Sequence, residues 1–130
     1  MTTERHYQEA LTRLEQHVDG FIAAAFVDVD TGMTMVAHAL RPEFDLAAAS
    51  AYNSELVKQK RRTLSALGLE PEVEDVLITL RDQIHLIRPV SATAFLYLVA
   101  DRAKTNLALV KSAAAKAAGV LAGAEHVRLA

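Results

Sequence analysis

The chain has 130 residues, no cysteine, 52% hydrophobic but only 5% aromatic side chains, and a formal charge of −2. That length suits one domain with one core, which buries roughly two-thirds of the unfolded surface. The lack of cysteine excludes disulfides, thiolate metal sites and cysteine nucleophiles, and the mildly acidic balance argues against nucleic-acid binding, which needs clustered Lys and Arg. No apolar run approaches a membrane span and the first thirty residues lack a signal-peptide layout, so a cytoplasmic protein without membrane insertion is expected.

In chain order, Tyr7, Ala10, Leu11, Leu14 and Val18 recur at helical spacing, which predicts an amphipathic helix over Arg5 to Val18, stopped by Asp19-Gly20. Phe21 to Val29 is almost unbroken apolar sequence and reads as an interior strand covered on both faces. Asp30-Thr31-Gly32 supplies a hairpin turn into a second strand, Met33 to Ala39. After Arg41-Pro42, Asp45 can cap a long helix from Leu46 to Leu67, which Gly68 ends and Pro71 keeps from resuming. Val73 to Arg81 alternates as a strand, with Val76, Ile78 and Leu80 on one face. Asp82-Gln83 is the next turn, and Ile84 to Val90 and Ala94 to Ala100 complete an antiparallel meander. Pro89 places its strand near an edge or an end. Leu107, Val110, Ala113, Ala114, Ala117, Val120 and Leu121 mark a last helix whose alanines allow close packing on a sheet. One domain over residues 1–124 with a short tail, 125–130, is expected.

Several motifs invite catalysis and fail on their surroundings. Asp30-Thr31-Gly32 resembles the catalytic triplet of retroviral-type aspartic proteases, but those are nearly all β, and this chain carries three helices. Asp28-Val29-Asp30 resembles the paired aspartates of haloacid-dehalogenase-type phosphatases, yet Thr31 is misplaced for that motif and no later acidic pair follows a strand to hold magnesium. His6, His17, His38, His85 and His126 show no ligand spacing. The five glycines stand apart, so no phosphate loop can form, and no serine sits in a nucleophile elbow. Neither an enzyme nor a cofactor is expected.

The long helix carries the residues that need explaining. Leu46, Ala49, Leu56, Val57, Leu64 and Leu67 share one broad sector of its wheel, and Asn53 and Lys60 fall inside it. One reading places both polar residues at the core's edge, with Lys60 extending its ammonium outward. The other gives the helix two neighbours, its own sheet and a symmetry mate, with Asn53 fixing register. Lys58, Lys60, Arg61 and Arg62 are the only concentrated positive charge, either a solvated face or a dock for an acidic partner.

Together these strings resemble the roadblock (dynein light-chain) family, as a bacterial-type member. The resemblance rests on Val18-Asp19-Gly20-Phe21 leading into Ala23-Ala24-Ala25-Phe26-Val27-Asp28, on the Asp30-Thr31-Gly32 hairpin, on the alanine-rich start of the long helix, on Arg88-Pro89-Val90, and on Asn106-Leu107-Ala108-Leu109-Val110-Lys111. It implies an α+β fold in the order α-β-β-α-β-β-β-α, with a five-stranded antiparallel sheet, the long helix on one face and the two terminal helices on the other. It also implies a homodimer, in which the long helix and the strand at Val73 to Arg81 meet their mates, and docking of a small Ras-like GTPase or another scaffold protein. Two features depart from the family's pattern: Asp82-Gln83 stands where members often have glycine, and the basic Lys58 to Arg62 stretch is not a signature. The interface residues expected on this basis are Ala49, Asn53, Leu56, Lys60, Val76, Ile78 and Leu80, and the partner-binding residues are Lys58, Arg61 and Arg62. The other two functional classes are a structural homodimer in a larger complex and a small-molecule sensor.

Overall fold

The computed structural model describes the backbone of residues 2–129 and the side chains of residues 4–119. Its elements are α1 (Thr2–His17), β1 (Phe21–Asp28), β2 (Thr34–Ala39), α2 (Leu46–Ala66), β3 (Val76–Thr79), β4 (Gln83–Pro89), β5 (Ala94–Asp101) and α3 (Leu107–Leu129). The expected order holds throughout. The backbone of α3 runs past the expected boundary at residue 124 as far as Leu129, and the side chains there lie outside the described residues.

The strands form one antiparallel sheet in the order β2-β1-β5-β4-β3. β1 and β5 carry the longest pairing, with Ala24 opposite Leu98 and Phe26 opposite Leu96. Both are buried on both faces, which is why their sequences are continuously apolar instead of alternating. One face packs against α1 and α3 through a core that includes Leu11, Leu14, Phe26, Leu86, Leu96, Leu98 and Val110. Tyr7 of α1 stacks on Phe26 at 4.7 Å between ring centroids. The other face packs against α2 through Ile22, Val27, Val29, Val57, Ile87, Phe95 and Tyr97.

The helix ends follow ordinary capping chemistry. Asp45 Oδ1 accepts the Ala48 N–H at 3.0 Å and opens α2. At its other end Gly68, with φ +75°, donates to the Ser65 carbonyl, and Leu69 donates to the Leu64 carbonyl, the paired bonds of a Schellman stop. α3 begins at Asn106, whose Oδ1 accepts the Leu109 N–H at 2.9 Å, a cap that the apolar periodicity alone does not reveal.

β3 is shorter than the alternation of Val73 to Arg81 predicts. Among the described residues its only partner is β4, paired from Val76 opposite Ile87 to Thr79 opposite Ile84. Continuing that register would set Glu74 against Pro89, which has no N–H to donate. At the far end the Leu80 N–H already turns to the Gln83 carbonyl at 2.9 Å. Val73 and Leu80 therefore flank the ladder instead of joining it.

Candidate protein-interaction face

A five-stranded sheet spans about 19 Å between its outer strands, and helices pack 8–10 Å apart, so two helices are needed to cover each face. On one face α1 lies over β1 and β2 while α3 lies over β4 and β5. The opposite face has α2, whose contacts concentrate on β1 and β2. Towards β3 this face stays open: Val76 and His85 are half-buried and Ile78 is 36% exposed. Leu80, just beyond the strand, is 44% exposed.

α2 is held against the sheet by a face that its apolar pattern only partly marks. Its buried residues are Leu46, Ser50, Ser54 and Val57. Ser50 Oγ accepts from Thr34 Oγ1 at 3.1 Å, and Ser54 Oγ donates to the Ala51 carbonyl at 2.8 Å. Two small polar residues stand where larger apolar ones are expected because the β1–β2 hairpin approaches the helix here. Ala49, Asn53 and Leu56 lie on the neighbouring sector, half-buried, with Lys60 exposed beside them. The proposed interface residues of α2 thus form a flank of the helix, distinct from the stripe that meets the hairpin.

Beneath that flank lies a polar group inside the apolar layer. The Tyr97 hydroxyl donates to His85 Nδ1 at 2.9 Å, which leaves His85 Nε2–H to donate to Gln83 Oε1 at 2.8 Å. Phe44 packs on both rings. Burial pushes the Tyr97 phenol up to about 12, against a smaller downward pull from the neighbouring Asn53. Asn53 Nδ2 is itself buried and makes no hydrogen bond of good geometry, so its pull on Tyr97 is one of proximity. Sequence reasoning singled out Asn53 but not Tyr97 or His85; a tyrosine inside the continuously apolar run of β5 gives no signal of its own.

Burial lowers the pKa of His85 below its ordinary 6.5. The unfolded chain then binds a proton more readily than the folded one, so stability is fully present above pH 6.5 and declines as pH falls through the lowered folded value. Urea midpoints at pH 7.5 and at pH 5 are expected to differ for this reason, and His85→Gln should remove part of the difference.

The residues of the basic stretch have different surroundings. Lys58 Nζ pairs with Glu55 at 3.1 Å. Arg61 donates to the Ala92 carbonyl at 3.0 Å and so ties α2 to the β4–β5 turn. Lys60 and Arg62 are exposed. On the wheel Lys58 and Arg62 lie on the side of α2 away from the Ala49, Asn53 and Leu56 flank.

The acidic motif at the hairpin is occupied by its own turn. Asp28 Oδ1 accepts the Asp30 N–H at 2.9 Å, Thr31 Oγ1 accepts the Met33 N–H, and Gly32 donates to the Asp28 carbonyl. Among the described residues no group of three or more His, Asp or Glu is placed to hold a metal ion. No helix among them is long and apolar enough to cross a membrane.

This architecture is the roadblock fold. A Roadblock/LC7 domain from Streptomyces avermitilis superposes with a TM-score of 0.74 at 20% identity, covering 85% of this chain and 90% of that one. Among particular proteins, MglB of Myxococcus xanthus is similar over 95% of this chain and 90% of its own, with a TM-score of 0.86 at 15% identity. An MglB with a tetrameric arrangement gives 0.82 at 18% identity over 94% and 89% of the two chains. No family model and no curated protein matches the sequence.

Proposed function

We propose that this protein is a non-enzymatic homodimeric platform that regulates or scaffolds a small Ras-like GTPase. The observation that carries the reading is the unequal covering of the sheet: two helices on one face, one on the other, and an apolar edge strand beside the gap. An unpaired apolar edge invites association. A two-fold axis beside β3 would join two sheets and bring the mate's α2 into the empty position. Ala49, Asn53, Leu56, Lys60, Val76, Ile78 and Leu80 would then lie at the joint. Among the described residues the buried Asn53 Nδ2 has no well-aligned acceptor, and the mate could supply one. The tetrameric MglB is a protein of this fold that self-associates.

The GTPase rests on the resemblance of the sequence strings to the roadblock family. Arg62 is exposed to meet its acidic surface, whereas Lys58 would have to leave Glu55, and Arg61 the Ala92 carbonyl, to join it. Light scattering at micromolar concentration should give twice the 14.1 kDa of one chain; a clean monomer overturns the platform. Reversing Lys58 and Arg62 to glutamate should slow association with the GTPase about tenfold at low salt and less at high salt. Arg62 is exposed and Lys58 sits in a surface pair with Glu55, a kind of pair that contributes about 0–1 kcal/mol, so the double variant should stay folded with at most about 1–2 kcal/mol lost. An unchanged association rate would make the two cations a solvated helix face.

A further inference from the structure

We propose that the furrow between α1 and α3, on the sheet face away from α2, is a docking groove for an acidic amphipathic helix of a partner protein. Its volume is about 370 Å³. The floor is made by Ala10, Leu14, Ala113 and Ala117, and the three alanines let another backbone come close. Arg13 and His17, one helical turn apart on α1, stand on one bank. Ser112 and Lys116, one turn apart on α3, stand on the other. All of these four side chains are exposed.

The charge of the lining selects the occupant. The whole chain carries −2, yet the described lining of the furrow contains Arg13, Lys116 and His17 and no acidic residue. Neither Arg13 nor Lys116 has an ion-pair partner among the described residues. An acyl chain with a single anionic head would meet cations at one end only. Here they stand on both banks, which matches a helix carrying a Leu/Ala stripe with glutamates along both flanks. The surface lies across the sheet from the proposed dimer joint, so it is independent of that reading.

The probe is a fluorescein-labelled peptide of about five helical turns with a Leu/Ala stripe flanked by glutamates. Anisotropy at low salt should show saturable binding, and amide shifts should change in α1 and α3. Arg13→Glu combined with Lys116→Glu should weaken binding about tenfold, and so should replacing the peptide's glutamates by lysine. Ala113→Leu, which fills the floor without altering charge, should weaken it as well. Three results would overturn the proposal: no saturable binding of the acidic peptide, equal binding of its lysine counterpart, or amide shifts confined to α2 and β3. A furrow that takes laurate but not the peptide overturns it too.

Discussion

Replacing Gly32 by alanine is expected to destabilise the protein by about 2–3 kcal/mol, read as a lowered urea midpoint with an unchanged slope. Two causes act together. Gly32 has φ +74°, where a side chain costs about 1 kcal/mol or more. A Cβ built there would also stand 2.9 Å from Ser54 Oγ and 3.3 Å from Ala51 Cα, so the hairpin or α2 must shift. The two causes separate in a double-mutant cycle. Ser54→Ala removes the hydroxyl that the new methyl meets and should recover part of the loss, leaving the backbone strain and the Ala51 contact. If Ser54→Ala recovers nothing, the cost is conformational and the hairpin does not press on the helix.

That contact also shows where the sequence runs out. The turn at Asp30-Thr31-Gly32, the Asp45 cap and the Gly68 stop are local chemistry, legible from a few adjacent residues. The continuous apolar runs of β1 and β5 announce strands covered on both sides, and the helix at Leu46 announces itself by period. What periodicity cannot show is distance between elements. Ser50 and Ser54 read as polar interruptions until the hairpin is seen to approach α2 and leave space only for small side chains. Arg61 reads as part of a cationic patch until the Ala92 carbonyl is seen within its reach. β3 reads as a long strand because alternation is intrinsic, whereas its length depends on where Pro89 sits in the neighbouring register. The interaction face is legible in part: Asn53 stands out as a polar residue in an apolar sector, but the Tyr97–His85–Gln83 chain beneath it exists only in the folded sheet.

The largest effect on assembly is expected from Ile78→Glu combined with Leu80→Glu. Both side chains are partly exposed in the single chain, at 36% and 44%, so the substitutions should leave the protomer folded at a cost below about 1 kcal/mol. In a dimer joined along β3 the same two positions appear twice near the axis. Four carboxylates would then replace apolar contacts, repelling one another and losing water as the edges close. Dissociation should strengthen at least about 100-fold, equivalent to about 2.7 kcal/mol, and sedimentation at micromolar concentration should show monomer. The opposite edge of the sheet provides the control. Met35 on β2 is 43% exposed, so Met35→Glu makes a comparable change on the other edge strand and should leave the dimer intact. If Met35→Glu breaks the dimer and the β3 pair does not, the sheets join through β2, and the α2 flank at Ala49, Asn53 and Leu56 is free for another partner.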